Sequence, residues 1–224
     1  MPKETFFNLP DDKRQAILDL AIEEFAAHDY KNASISRIVE RAGIAKGSFY
    51  QYFADKKDLY LYLVDWAMQE KREFMSQTRM PRPEMGVFAF IRWLLRTGVD
   101  FQFSNPMLAR IGYRALYDDA PLPDETRALI KQGSLAYFNQ LVAGGMASGE
   151  LDPALDPEVA AFIFTVVFSE LGDYILGRMN ASVERMAEGD LSVMAADESQ
   201  SVFDAVMTIL QRGMAAPSIG VQGA

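Results

Sequence analysis

Lys31-Asn-Ala-Ser-Ile-Ser-Arg-Ile-Val-Glu-Arg-Ala-Gly-Ile-Ala-Lys-Gly-Ser-Phe-Tyr-Gln-Tyr-Phe-Ala-Asp-Lys-Lys57 is the stretch whose reading decides the fold. Ser34 stands where an N-cap is needed, because its hydroxyl can accept an orphan N–H of the first helical turn. A short helix is predicted from there to Ala42. Gly43 breaks it, and a second short helix follows over about Ala45 to Tyr52. Two short helices joined by three or four residues are helix-turn-helix geometry, in which the second helix enters the DNA major groove. Ile35, Ile38, Val39, Ala42, Ile44 and Phe49 supply a small shared core. Ser34, Ser36, Lys46, Ser48, Tyr50, Gln51, Tyr52 and Lys56 are left for the outside, as donors suited to phosphates and base edges.

Charge sharpens that reading locally and opposes it globally. The 224 residues carry 22 Lys+Arg against 31 Asp+Glu, a net charge of −9, and phosphate binding needs clustered cations. Between Lys31 and Lys57, however, six basic residues face two acidic ones. Most of the acidity belongs to the rest of the chain. Cysteine is absent and His28 is the one histidine, which excludes disulfides, thiolate zinc sites and cysteine nucleophiles. No phosphate loop, Gly-x-Ser-x-Gly elbow or metal-ligand spacing occurs. His28 beside Asp29 can be a general base, or simply a cation suited to a helix C-terminus. A binding protein is expected rather than an enzyme, with no cofactor.

Outward from the stretch the periodicity is helical nearly throughout. Ile17, Leu18, Ala21, Ile22 and Phe25 make one apolar stripe over Asp11 to His28. Asp55 is placed to cap a long helix from Lys56 to about Gln77. Further helices are predicted over about 84–103, 106–117, 123–147, 157–178 and 200–214, about nine in all. Asp156-Pro157-Glu158 is a clear start signal. Asn180 to Ser199 reads as a loop, and the tail after Ala215 as loose. The most hydrophobic run, between Glu158 and Glu170, is too short to span a bilayer. With no signal-peptide pattern before Pro10, the reading is a cytoplasmic protein with no membrane partner.

The register of Ala42-Gly43, Gly47-Ser48, Tyr50, Phe53, Lys56 and Leu59 resembles the signature of the TetR family of transcriptional repressors, over about residues 14 to 59. That resemblance implies an all-α fold: a three-helix helix-turn-helix DNA-binding domain over 1–55, and a larger helical ligand-binding and dimerisation domain over 56–224. It implies that Ser34 holds a phosphate, with Ser36 near the same end. Lys46, Gly47 and Ser48 would open the recognition helix and face base edges, Gly47 allowing close approach. Tyr50 and Tyr52 would donate to phosphates, Gln51 would read a base, and Lys56 would bind a phosphate. The family usually has Gly before the position of Tyr30. This chain has Asp29, which tolerates the left-handed conformation better than most residues.

The larger part needs an apolar interior, so most of its aromatic residues are core. By the resemblance, some would line a pocket for a small apolar or aromatic effector. The candidates are Trp66, Met68, Phe90, Trp93, Leu94, Phe101, Phe103, Met107, Ile111, Tyr113, Tyr117, Tyr137, Phe138, Phe162 and Phe168. Arg92, Arg96, Arg110 and Arg114, at four-residue spacing, form either a solvated face with acidic partners or a site for a ligand carboxylate. The run Val159–Phe168 is apolar on nearly every face and must be covered on every side. The family's last two long helices pair two subunits. Leu171, Tyr174, Ile175, Phe203, Val206, Met207 and Leu210 are then either dimer contacts or intrachain core. The implied function is a homodimeric, ligand-responsive repressor on a palindromic operator in double-stranded DNA. A carrier with a vestigial DNA-binding part, and an activator, are the alternatives.

Overall fold

The computed structural model describes residues 1–80, 85–117, 121, 124–180 and 197–217. Among these the chain forms ten α-helices and no β-strand, one isolated bridge between Leu151 and Ala215 apart. The helices are α1 (Glu4–Phe7), α2 (Asp11–Ala27), α3 (Ile35–Arg41), α4 (Lys46–Tyr52), α5 (Lys56–Gln77), α6 (Val87–Ser104), α7 (Pro106–Tyr117), α8 (Asp124–Ala147), α9 (Pro157–Arg178) and α10 (Asp197–Met214). Every predicted helix is present, most to within a residue or three. α1 has no counterpart among the predicted helices, and the expected loop over Asn180 to Ser199 lies outside the described residues except at its ends.

Local signals act as their chemistry dictates. The Asp156 carboxylate accepts the N–H groups of Glu158 (2.9 Å) and Val159 (3.2 Å), with Pro157 in the first turn. Asp55 accepts the Asp58 N–H at 2.8 Å and so starts α5. α3 ends in a Schellman motif. Gly43 stands at φ +63, its N–H reaches the Glu40 carbonyl at 3.1 Å, and the Ile44 N–H reaches that of Val39 at 3.0 Å.

Packing divides the described residues into two compact units, one within Met1–Gln77 and Ser104–Ala128, the other within Thr78–Phe103, Leu129–Ser182 and Asp190–Ala224. In the first, Phe25, Phe49, Phe53, Leu59, Tyr60 and Leu63 form one buried cluster with Ile111 and Ala115 of α7. α7 packs on both α2 and α5. The Arg114 guanidinium donates to the carbonyls of Phe25 and Ala26, both at 3.1 Å, and thereby caps the end of α2. The division into 1–55 and 56–224 is one of function and remains a proposal.

In the second unit, Leu94, Leu95, Phe101, Phe138, Phe164, Leu171, Ile175, Phe203, Met207 and Leu210 are buried from α6, α8, α9 and α10. Glu150 accepts the Val87 N–H at 2.8 Å, which starts α6. α9 as a whole is long and apolar enough to cross a membrane by length and composition, a property that core helices share.

Candidate nucleic-acid interface

Besides the shared apolar core, two carboxylates of α2 hold the helix-turn-helix, and Glu24 is the buried one. Glu24 is 4 % exposed. Its oxygens take the Arg37 Nε at 3.0 and 3.1 Å, the Arg37 Nη2, and the Ser34 N–H at 2.7 Å. Burial pushes this carboxyl up, but the Arg37 and Ser34 hydrogen bonds outweigh it and hold it below the ordinary glutamate value. Arg37 also donates to the Asn32 carbonyl at 2.8 Å. Arg41 pairs with Glu23 on α2. Two of the six basic residues counted locally are therefore neutralised by carboxylates outside the counted stretch. Charge counted along the chain could not show this.

Ser34 caps α3 as expected, its Oγ accepting the Arg37 N–H at 3.4 Å. Asp29 departs from expectation. Among the described residues, the one non-glycine with positive φ is Asn180. Asp29 instead turns the chain through its carboxylate, which accepts the Asn32 N–H at 2.8 Å and the Asn32 side-chain amide at 3.0 Å. Those two donors hold the Asp29 carboxyl below its ordinary value.

On α4, Lys46, Gly47, Tyr50 and Gln51 are exposed along one side, so one face of the helix is open, while Ser48 is half-buried beside it. The Lys46 ammonium donates to the Ser36 Oγ at 3.1 Å, which brings these two exposed candidates together. A Cβ at Gly47 would meet nothing within 4 Å. Two expectations fail. Tyr52 is 7 % exposed, with its ring 6.0 Å from Phe6, so it belongs to the core instead of a phosphate-facing surface. The Lys56 ammonium turns inward, donating to the carbonyls of Tyr30 (2.7 Å), Lys31 (3.2 Å) and Ala33 (3.0 Å) over the Tyr30 ring. Its three N–H donors are used, so it ties the α2–α3 loop to α5 rather than offering itself to a phosphate.

The effector candidates are divided between the two units. Ile111 belongs to the buried cluster around the helix-turn-helix, with Met107 and Trp66 packed on it. Trp66 donates to Glu70 at 2.8 Å. Met68 and Tyr113 are half-buried in the same unit, and the Tyr117 side chain lies outside the described residues. In the second unit Leu94, Phe101, Phe103 and Phe138 are buried, Phe90, Trp93 and Phe168 are half-buried, and Tyr137 is exposed. Phe162 is 59 % exposed on α9 and faces outward instead of into an interior. Among the described residues, the buried Trp93 Nε1–H has no hydrogen-bond acceptor. A recess between α6, α9 and α10, lined by Arg96, Asp100, Phe103, Ile175 and Phe203, holds about 10 Å³, room for one water. Two of the four candidate arginines have acidic partners within the chain: Arg92 pairs with Asp204 at 2.6 Å, and Arg96 with Asp100 at 3.0 Å. Arg114 donates to the α2 carbonyls.

Of the dimer candidates, Leu171, Ile175, Phe203, Met207 and Leu210 are buried inside the single chain and Val206 is half-buried. Tyr174 is exposed. The open apolar positions are Val159, Phe162, Val166 and Tyr174 on α9, with Ile209 on α10. The all-round apolarity of α9 signalled this face, but helical phase alone did not say which side the chain covers.

Family models match both parts of the chain: bacterial regulatory proteins of the tetR family over residues 17–63, and the tetracyclin repressor-like C-terminal domain over 85–215. A TetR family transcriptional regulator from Chloroflexus aurantiacus J-10-FL is 50% identical, with a TM-score of 0.87 over 97% of this chain and 100% of its own. The fatty acid metabolism regulator protein of Bacillus subtilis is 27% identical over 154 residues, 66% of this chain and 75% of that protein. The fold is also shared with the transcriptional regulator FadR from Bacillus subtilis in complex with stearoyl-CoA: 18% identity, TM-score 0.60, 89% of this chain and 98% of that one. The chain belongs to the TetR family of helix-turn-helix transcriptional regulators.

Proposed function

We propose that the chain is a homodimeric repressor that reads a palindromic operator with α4 and releases it on binding a small apolar effector. The observation that carries this reading is Gly47. Glycine inside a helix is destabilising by about 0.5–1 kcal/mol relative to alanine. Here no atom of the described residues lies within 4 Å of where a Cβ would stand. The need is met from outside, by a surface that approaches the α4 backbone beside Lys46, Tyr50 and Gln51. A major-groove edge and its flanking phosphates fit that description.

Pairing of two copies through the outer face of α9 and α10 would cover Val159, Phe162, Val166 and Ile209 and set two recognition helices on one operator. The unsatisfied Trp93 N–H supports an effector that brings a hydrogen-bond acceptor on an apolar body. A long-chain acyl thioester has both, and stearoyl-CoA occupies one fold relative. α7 supports the coupling, because it packs on α2 and α5 together. Release requires that the effector favour one arrangement of these helices over another.

The test is selection of DNA from a random pool, followed by binding measurements on the selected site. Lys46→Ala is expected to weaken binding roughly 5–150-fold. Gly47→Ala should raise the melting temperature slightly and still weaken binding. Stearoyl-CoA should release the DNA. Recovery of no sequence at low salt would favour a carrier over a repressor.

A further inference from the structure

α4 has two turns and no glycine to end it. Phe53, its C-cap, is extended at φ −128, ψ 147. A helix of this length is marginal without tertiary support, and its last four carbonyls need partners. Phe49 is satisfied locally by the Phe53 N–H at 2.9 Å. The other three look to a segment more than forty residues earlier. The Lys3 ammonium donates to the Tyr50 carbonyl at 2.8 Å, the Thr5 hydroxyl to the Gln51 carbonyl, and the Lys3 backbone N–H to the Tyr52 carbonyl at 2.8 Å. Phe6 anchors this segment. It is fully buried, with ring centroids 4.8 Å from Phe53, 6.0 Å from Tyr52 and 6.1 Å from Tyr62. The Lys3 charge also suits the negative end of the α4 dipole.

We infer that the segment Lys3–Phe6 is a C-terminal clamp on the recognition helix, and that Lys3 and Thr5 are positioning residues for DNA reading. The inference rests on the proposal that α4 reads DNA. Tyr50 and Gln51 project from the last turn of α4, and that is the turn whose carbonyls Lys3 and Thr5 hold. Fraying of this turn would swing both side chains off their base and phosphate partners, while Lys46 and Ser48 in the first turn would stay in place. Lys3 acts here through its hydrogen bond to Tyr50, so it is distinct from a phosphate contact that neutralises backbone charge.

The experiment uses the full chain, a site selected from random DNA, and the variants Thr5→Val, Thr5→Ser and the double variant Lys3→Met/Thr5→Val. Phe6 is left alone because its loss would unfold the unit. Thermal unfolding confirms that each variant is folded at the assay temperature. The double variant is expected to lose DNA affinity by on the order of tenfold. The salt dependence of its binding should keep the wild-type slope, because no phosphate contact is removed. Thr5→Ser should restore what Thr5→Val loses. In the DNA-free protein, amide exchange should accelerate in the last turn of α4 and not in α3. Wild-type affinity and wild-type exchange in the double variant overturn the clamp and leave the DNA-reading proposal standing. A salt slope lowered by about one makes Lys3 a direct phosphate ligand and overturns its positioning role. Failure of the wild-type protein to bind any DNA overturns both.

Discussion

At the scale of single residues, donor chemistry was legible in the sequence and direction was not. Ser34, Ser36, Lys46, Tyr50 and Gln51 stand on open surface or at a helix start, as their spacing implied. Tyr52 and Lys56 turn inward because partners far along the chain, Phe6 and the Tyr30–Ala33 carbonyls, lie where no local pattern can point. Lys56→Met should therefore lower stability by about 1–3 kcal/mol through three stranded carbonyls, measured by urea unfolding. It should leave the salt slope of DNA binding unchanged. Glu24 makes a second prediction. Its folded-state pKa lies below the unfolded value, so its contribution is present above the ordinary glutamate range and lost as pH falls through the folded pKa. Melting temperatures of wild type and Glu24→Gln, compared from pH 7 down to pH 3, should differ by the equivalent of about 2 kcal/mol at neutral pH and converge below about pH 4.3.

At the scale of elements, apolar period and caps placed the longer helices closely, since an apolar stripe that repeats over several turns buries itself on one side only when the segment is helical. α1 escaped because four residues carry no period. It exists through Phe6 and through the α4 carbonyls that it serves. Gly43 ends α3 in the left-handed region, so a β-branched side chain there meets its own backbone. Gly43→Val should destabilise the first unit by about 1–2 kcal/mol or more, with Gly43→Asn intermediate, read from unfolding midpoints. Gly43 forms the turn between α3 and α4, so under the proposed function DNA affinity should fall along with stability.

At the scale of the whole molecule, the sequence showed that α9 needs cover on every side, and the fold shows which side the chain leaves open. Phe162→Glu places a charge in the middle of that face. If the proposed dimer forms through this face, sedimentation should report a dimer for the wild type and a monomer for this variant, with operator affinity falling by orders of magnitude and helical content unchanged. The division of labour was harder to read than the fold, because α7, distant in sequence, closes the core under the helix-turn-helix with Ile111 and Ala115. Inheritance has to respect that junction. Two regulators recombined near residue 55 would exchange helix-turn-helix segments but set another chain's α7 beneath them, where this chain packs Ile111 and Ala115 and donates Arg114 to the last carbonyls of α2. A chimera joined near residue 55 should therefore melt below both parents, and carrying α7 over with the first part should restore the melting temperature.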